Sequence, residues 1–502
     1  MRWILLVVGV FGLCGGVAIA YWRQTNADVS PASMLMILVL LPSVVVGSVY
    51  GIYRLKKWLK ERREAEQENP HDTAGEVTLA EGPAAPWLHV YAVAVQTQLG
   101  DHVDKIIFGL QQFRSAECDA ELFSVNGSRL LSRRIDLTMI NENSDQDVDV
   151  VNANSNSLSD RALRIEVLTQ NLYAQLDQTL ASIAEGMTET HLWQLPAESR
   201  QAILHPAWQG KTVEAPQHSV AVEVNVWPKT LKVLYLLPQH IDEDAQHYLQ
   251  QTAYAQLLRY GFNAEQVQWI NHITHTPDDT LRQIGNVLTE QLKPQSSMLL
   301  VMGVDSHLDQ DLVDELQQDN VQLIPAEASF SILLSNETTR ISSLPVLARL
   351  TAPILTERQK PISVGGQLAA DALITGSDEL RRIYKLQENA LVPDTGILIS
   401  DIHPAQSANL RELSLLLRPF DLPAEYLMYA GSLLESTNLM TSGVAMAIAL
   451  QQTESSKLHI PIICSAGDTA RGLWLAAPYS EISSDVDLLA ESESLKAVSE
   501  HA

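Results

Sequence analysis

Short apolar runs alternate with amphipathic segments along most of the chain. Residues 231–238 (LKVLYLLP), 298–302 (MLLVM) and 460–464 (IPIIC) are apolar at nearly every position, a pattern typical of strands buried on both faces of a sheet. Residues 242–260 and 407–417 instead place apolar side chains three and four positions apart, which predicts helices. Alternation of this kind predicts α/β layers around a mainly parallel sheet, with antiparallel pairs where two strands follow closely.

The same patterns predict further elements. The other predicted strands are residues 88–99, 120–131 with a turn at Asn126 and Gly127, 266–270, 329–334, 397–400 and 473–477, and the other predicted helices are residues 104–113, 278–292 and 442–451. The run at 298–302 stops at Gly303, just before Asp305, Ser306 and His307. Sites in α/β proteins lie beyond the carboxyl ends of strands, so this polar cluster is a first candidate site.

Two uncharged apolar runs near the N-terminus, residues 3–21 and 34–53, are each about long enough to cross a bilayer as a helix. Six basic residues follow the second run: Arg54, Lys56, Lys57, Lys60, Arg62 and Arg63. By the positive-inside rule, residues 1–63 are predicted to form a transmembrane helix hairpin in the inner membrane, with the large C-terminal part in the cytoplasm. The alternative is a signal peptide cleaved at the A-x-A motif Ala18 to Ala20, which would leave one span with the same orientation.

Three segments lack the periodicity of the body. Residues 64–86 mix Glu, Gln, Pro, Gly and Ala and are predicted to be a linker. Residues 141–160 are rich in Asn, Asp and Ser, which predicts an exposed loop or insertion. Residues 481–502 are predicted to be an acidic, disordered tail.

The charge balance narrows the classes of function. With 34 basic against 60 acidic residues the net charge is -26, which argues against binding to nucleic acid because a phosphate backbone requires a basic face. Cys14, Cys118 and Cys464 show no paired spacing, so neither a disulfide framework nor a zinc site is predicted. The chain has no P-loop, GxGxxG or GxSxG motif, and we predict no cofactor and no bound metal.

Four motifs occur in the order in which β-ketoacyl synthases and other thiolase-like enzymes carry them. Residues 303–306 (GVDS), followed by 324–334 (IPAEASFSILL), resemble the GGVDS turn and the strand after it, although Met302 stands where the family has its first glycine. The other three resemble the later strand-loop-helix, the G-x-x-G-A-A loop and helix, and the closing hairpin; they are residues 399–420, 431–450 and 460–478.

The resemblance covers roughly residues 86–480. It implies a thiolase-like duplicated α/β/α layered sandwich, with a first half at 87–345 and a second half at 346–480. Such folds commonly dimerise, so a homodimer is a further expectation.

The chemistry of the resembled enzymes does not carry over to this chain. Their nucleophilic cysteine begins a helix a little under thirty residues before the GGVD turn, which corresponds to residues 273–278 (ITHTPD), where there is no cysteine. Their two catalytic histidines correspond to positions near 401–404 and 431–438. His403 fits the first, whereas the second segment has no histidine. The resemblance therefore implies a degenerate member.

Three residues are the weak catalytic candidates that remain: His275, Asp305 and His403. His272 and His275, near Asp278 and Asp279, are open to interpretation as a metal site or a replacement base. The favoured interpretation is a helix start, with Thr276 as N-cap and Pro277 at the first position.

Two other polar features are expected to be structural. Asp305, Ser306 and His307 are adjacent in sequence, and neighbouring side chains seldom converge on one point, so a structural turn is favoured there. Cys464 is predicted to be a buried, inert cysteine on the closing strand.

Two functions remain open. The membrane segments and the degenerate body together resemble the type VI lipase adaptor family of Gram-negative bacteria, which implies a non-enzymatic adaptor that binds a lipase effector and loads it onto the secretion spike protein. The alternative is a membrane-associated acyl-binding or acyl-condensing enzyme whose catalytic groups have been replaced. The missing cysteine favours the adaptor.

Overall fold

A computed structural model describes residues 86–479, apart from 113, 138–157, 195–226, 294–296, 320–323, 338, 340, 342–343, 359–366, 387–396, 419–425 and 435–437. The chain divides into two compact units, Met1–Pro83 and Ala84–Ala502, and every described residue belongs to the second. The predicted membrane spans and the tail lie outside the described residues, as do nearly all of the predicted linker and most of the polar insertion. Within the described part, no helix is long and apolar enough to span a bilayer.

The described residues form thirteen strands and nine α-helices. The strands are β1 (Leu88–Gln96), β2 (Glu117–Phe123), β3 (Arg129–Ser132), β4 (Thr230–Pro238), β5 (Val267–Thr274), β6 (Ser297–Ser306), β7 (Glu327–Asn336), β8 (Ala348–Leu350), β9 (Ile354–Glu357), β10 (Leu398–Ser400), β11 (Leu427–Tyr429), β12 (Ile460–Cys464) and β13 (Ala470–Pro478). The helices are α1 (Val103–Gln111), α2 (Asp160–Gln194), α3 (Glu243–Arg259), α4 (Pro277–Gln291), α5 (Gln310–Asp319), α6 (Gln367–Tyr384), α7 (Ser407–Leu417), α8 (Gly431–Leu434) and α9 (Thr441–Ser456).

The main sheet repeats one strand order twice. The first set of strands runs β5-β4-β6-β7-β1 across the sheet, and the second runs β11-β10-β12-β13, with β8 and β9 both pairing with β13. Numbered along the chain within its own set, each follows the order 3-2-4-5-1. Directions repeat as well, because the second strand is parallel to the third and fourth, and the fifth is antiparallel to both of its neighbours. The body is therefore a duplicated α/β unit.

The sheet is mixed, so the prediction of a mainly parallel sheet is wrong. Among the described strands, four pairings in the main sheet are parallel and six are antiparallel. The reason lies in the last strand of each set. This strand, β7 or β13, starts near the end of the strand before it and pairs directly with that strand. The two strands therefore run in opposite directions.

Side-chain alternation along the strands separates the apolar cores. In β6, Leu299 and Val301 face one core while Leu300 and Met302 face another. In β13, Trp474 faces the first of these cores, and the adjacent leucines face a third. This division follows from the two-residue period of a strand and places one shared core between the two sets of strands.

Helices α4 and α9 lie in that shared layer. Each of them contacts strands of both sets, and α2 with α3 and α6 with α7 pack as pairs on the outer faces. Helix α9 is buried around its whole circumference from Thr441 to Leu450, as expected for a helix in a middle layer. Strand β8 pairs with both β1 and β13, so the sheet is continuous. Since α4 and α9 contact strands of both sets, the sheet must bend at β8.

One predicted strand boundary changes, and one long helix was not predicted. Strand β6 continues through the polar cluster to Ser306 and does not stop at Gly303. A Cβ at Gly303 would stand 2.4 Å from the Phe330 ring and 2.9 Å from Met440 Sδ, so this glycine provides close packing within the strand. Helix α2 was not predicted, although its buried residues Ile165, Leu168 and Leu172 recur at helical spacing.

Candidate functional site: two buried carboxylates that hold one loop

Helix α4 begins within residues 273–278, the segment that the sequence comparison above aligns with the nucleophile of the resembled enzymes. Thr276 is its N-cap, and its side chain accepts a hydrogen bond from the Asp279 N–H at 3.1 Å. Pro277 is the first helical residue, and the acids Asp278 and Asp279 lie in the first turn, where the positive end of the helix dipole stabilises them. The structure therefore confirms that this segment is a helix start, with Thr276 as its N-cap.

Asp278 holds the loop between β12 and β13. Its Oδ2 accepts hydrogen bonds from the backbone of Asp468 at 3.1 Å, from the backbone of Thr469 at 2.9 Å and from the Thr469 hydroxyl at 3.0 Å. Its Oδ1 accepts one from the backbone of Ala470 at 2.9 Å. These four donors explain how a carboxylate that is only 8% exposed is tolerated at the start of a central helix.

Asp401, just after β10, holds the other end of the same loop. Its Oδ1 accepts hydrogen bonds from the backbone of Ser465 at 2.6 Å and of Ala466 at 2.9 Å, and its Oδ2 accepts one from the Ser442 hydroxyl at 2.9 Å. Burial raises the pKa of Asp401 to about 6, against the lowering effect of these hydrogen bonds and of the positive charge of Arg471.

We call Asp278, Asp401 and residues 465–470 the carboxylate clamp. It joins the start of α4 in the first half to the end of β10 and the β12–β13 loop in the second half. Gly467 is required at the centre of the clamp, because a Cβ there would stand 1.9 Å from Asp278 Oδ1. Both carboxylates are thus committed to backbone N–H groups and hydroxyls.

Cys464 lies beside the clamp and is fully buried, as predicted. Burial raises the pKa of its thiol well above the ordinary value, and the nearby charge of Asp401 acts in the same direction. A thiol with a raised pKa holds its proton at neutral pH, so Cys464 is not an activated nucleophile.

A buried ionic cluster supports the loop from the α7 side. The Arg471 guanidinium donates to both carboxylate oxygens of Glu412, at 3.0–3.1 Å, and to the carbonyl of Gly467 at 3.0 Å. Arg358 also pairs with Glu412, at 3.0 Å. Since Arg471 and Glu412 have fully buried side chains, the pair is held by bidentate geometry and low dielectric.

The predicted cluster at the end of β6 is a second buried network. Arg161 of α2 donates to Asp305 Oδ1 at 3.1 Å and to the carbonyl of Ser306 at 2.6 Å. Arg164 pairs with Glu327, which also accepts from the Ser306 hydroxyl at 3.3 Å. These contacts fasten α2 across the ends of β6 and β7, so Asp305 and Ser306 have a structural role in the fold.

His307, next to this network, is buried and uncharged, as expected for a structural residue. Burial lowers its pKa to about 4, although Asp305, whose carboxylate lies 3.6 Å from its ring Nε2, opposes the shift. His307 is accordingly neutral at physiological pH.

The remaining candidates occupy two different places. His275 is exposed, and its Nδ1 lies 3.2 Å from Gln239 Oε1; the Gln239 carbonyl in turn accepts from Arg161, so His275 belongs to the same edge as Asp305. His403 belongs to the second half, where its Nδ1 accepts from the backbone of Ala405 at 3.0 Å. His272 pairs with Asp279 at 3.0 Å. Among the described residues, no group of three or more His, Cys, Asp or Glu could hold a metal ion.

Several residues of these networks were missed from the sequence. They are Arg161, Arg164, Glu327, Arg358, Glu412 and Arg471, together with the clamp roles of Asp278 and Asp401. A signal was present in two of them, because Arg471 and Glu327 are single charges at the edges of long apolar runs. A charge in such a place has to find a buried partner.

Comparisons with known proteins concern the fold. No family model matches this chain, and no curated protein sequence matches it. A type II PKS acyl-carrier protein in complex with its ketosynthase is 8% identical over 79% of this chain and 100% of that chain, with a TM-score of 0.49. The ketosynthase from module 6 of the bacillaene synthase from Bacillus subtilis 168 is 9% identical over 78% of this chain and 72% of that chain, with a TM-score of 0.47.

A third solved structure is of the same kind. The oxazolomycin ketosynthase domain OzmH KS7 of Streptomyces albus JA3453 is 12% identical over 79% of this chain and 75% of that chain, with a TM-score of 0.46. These solved structures are only loosely similar to this chain, and at TM-scores below 0.5 the likeness carries no argument about its family. At these identities the likeness says nothing about chemistry.

Proposed function

We propose that this chain is a degenerate thiolase-like protein that acts as a membrane-tethered adaptor, holding a protein partner on the cytoplasmic side. In its specific form, the proposal is that the partner is a lipase effector, which the chain loads onto a type VI secretion spike. Support for the thiolase-like ancestry comes from the four motifs and from the duplicated strand order that carries them. The membrane tether rests on the two apolar runs and their basic flank.

The observation that carries the non-enzymatic part is the carboxylate clamp. The helix start that corresponds to the nucleophile position bears Asp278, whose two oxygens receive four hydrogen bonds from the 468–470 segment. A carboxylate engaged in this way is a poor nucleophile, and moving it would leave backbone donors unpaired. In this proposal, the helix start that holds the nucleophile in the resembled condensing enzymes serves instead to fix the β12–β13 loop.

Acyl transfer provides the first test. Full-length protein is incubated with a long-chain acyl-CoA, and its intact mass is measured beside an authentic ketosynthase as positive control. We expect no added acyl mass on this chain. A stable acyl adduct, mapped to any side chain of the protein, would instead support the alternative of a condensing enzyme with replaced groups.

Partner binding provides the second test. Tagged full-length protein, purified from its native cell, is expected to bring down a lipase effector, and the double variant His275→Ala, His403→Ala is expected to retain at least about half of that yield. Both histidines lie outside the clamp, and far-ultraviolet circular dichroism of the double variant verifies that the fold is retained. Absence of any co-purifying effector, or its loss in the double variant, would contradict the adaptor proposal.

A further inference from the structure

The β2–β3 hairpin has apolar side chains on both of its faces. It forms a separate two-stranded sheet in which Cys118 is paired with Leu131 and Phe123 with Arg129. Side chains of paired residues share a face, and Arg129 and Leu131 share one because they are two positions apart on β3. Cys118, Phe123 and Leu131 therefore lie together on the exposed, outward face, although the register shifts between Cys118 and Phe123. A solvent-facing side of a hairpin ordinarily carries polar residues.

The exposure of this face sets it apart. Phe123 is 40% exposed, Leu131 is 49% exposed and Val125, in the turn, is 75% exposed. They are three of only five large hydrophobic residues that are exposed in the described part of the chain. Concentration of exposed apolar groups on one short element is typical of a binding surface, whereas scattered ones are ordinary.

The hairpin is held firmly from its inward side. Leu122 and Leu130 pack against Leu308 and Val313 in a small apolar cluster of their own. Gln310 of α5 accepts from the Phe123 N–H and donates to the Phe123 carbonyl, both at 2.9 Å. The outward face is therefore presented on a supported element, which reduces the entropy lost when a partner binds.

Helix α5, which holds the hairpin edge, is acidic on its exposed side. Asp311, Asp314 and Glu315 are exposed there, and α5 contains no basic residue. On the hairpin itself, Arg129 is one basic residue of the outward face. The apolar patch thus has an acidic border on the α5 side, in keeping with the net charge of -26.

We propose that the outward face of the β2–β3 hairpin, bordered by α5, is the surface that docks the partner protein, and that the partner offers an apolar patch bordered by Lys and Arg. The acidic border favours a basic partner protein over a second copy of this chain or an anionic membrane. A second copy would bring an acidic border against an acidic border, and an anionic membrane would be repelled in the same way. The assignment rests on the adaptor function proposed above and names the site through which it acts.

Site-specific photo-crosslinking in the native cell tests the surface. The full-length chain carries p-benzoyl-phenylalanine at Val125 or at Leu131, and at Leu458 as a matched position, since Leu458 is 40% exposed elsewhere. We expect one protein to crosslink from Val125 and from Leu131 at a yield at least about five times that from Leu458. The crosslinked peptide, identified by mass spectrometry, is expected to combine apolar residues with neighbouring Lys or Arg.

Charge reversal provides the second arm. Asp311→Lys with Glu315→Lys is expected to lower the crosslinking yield at least about threefold, because the border becomes repulsive to a basic partner. The matched control is Glu185→Lys with Glu265→Lys, which changes the same net charge at two exposed positions on other elements. Far-ultraviolet circular dichroism of each variant verifies that the fold is retained.

The outcomes separate the surface from the function. If the effector co-purifies with the chain but does not crosslink at this face, the surface assignment is wrong and the adaptor function stands. Crosslinks to a second copy, to lipid or to another segment of the same chain would also overturn the assignment, as would a yield indifferent to charge reversal. If wild-type protein brings down no effector at all, the adaptor function fails, and the surface proposal fails with it.

Discussion

Asp401 shows what a single buried carboxyl contributes to this molecule. Its oxygens accept hydrogen bonds from Ser465, Ala466 and Ser442, yet desolvation outweighs them and raises its pKa to about 6, compared with an ordinary value of 3.8. The native state therefore binds a proton at Asp401 more tightly than the unfolded state does. As the pH rises from about 4 to about 6, this group lowers the free energy of unfolding.

The variant Asp401→Asn tests that dependence. The amide keeps an oxygen acceptor for the two backbone N–H groups and cannot titrate. We expect the unfolding free energy of the wild type to fall, relative to the variant, by on the order of 3 kcal/mol between pH 4 and pH 7. Urea unfolding at both pH values provides the measurement, with the exposed Asp104→Asn as control. If the unfolding free energies of wild type and Asp401→Asn changed equally between the two pH values, the raised pKa of Asp401 would be refuted.

At the level of elements, buried ion pairs fasten helices to strand ends. The side chains of Arg161 and Asp305 are 3% and 0% exposed, and they connect α2 to β6. A pair taken out of water is weak evidence for net stability, but removal of one partner leaves a buried charge without compensation. The network at the end of β6 thus makes the packing of α2 specific.

A double-mutant cycle on this pair gives the second prediction. Arg161→Met is expected to lower the free energy of unfolding by about 3–5 kcal/mol, because Asp305 then remains buried without its counter-charge. Adding Asp305→Asn is expected to recover at least about 1 kcal/mol of that loss. The control Arg382→Met breaks an exposed pair with Glu379 and is expected to change stability by less than about 1 kcal/mol. Additive effects of the two substitutions in denaturant unfolding would contradict a coupled pair.

At the level of the whole molecule, the two halves share their central layer. Gly443 of α9 packs under Phe330 of β7, so closely that a Cβ at Gly443 would stand 2.0 Å from the ring. The shared core contains residues of both sets of strands. Because neither half keeps this core when the other unfolds, they are expected to unfold as one cooperative unit.

Gly443→Ala tests this coupling. The added methyl group collides with Phe330, and we expect a loss of about 1–3 kcal/mol. Native-state hydrogen exchange should then show that protection of β4, in the first half, and of β12, in the second, decreases by the same factor. Phe330→Leu in the same chain should relieve part of the loss. Protection that decreases in one half alone would show that the halves open independently.

Much of the local structure could be predicted from the sequence. Apolar runs and helical spacing located most strands and helices of the body, because burial imposes its period on neighbouring residues. The start of α4 was predicted from Thr276 and Pro277, whose capping chemistry is local. Helix α2 was missed despite a clear pattern, and the short strands β8, β9 and β11 have only three or four residues to carry one.

Only part of the candidate site could be predicted from the sequence. The sequence alone established that residues 273–278 contain no cysteine and that the net charge is strongly acidic. It also contained four motifs that resemble, in order, those of thiolase-like enzymes. Only the tertiary structure showed that Asp278 holds residues 190 and more positions away, that Asp401 holds the other end of the same loop, and that the sheet is mixed. The physical reason is range: periodicity and capping depend on neighbours along the chain, whereas the partner of a buried charge is chosen by which strand ends the fold brings together.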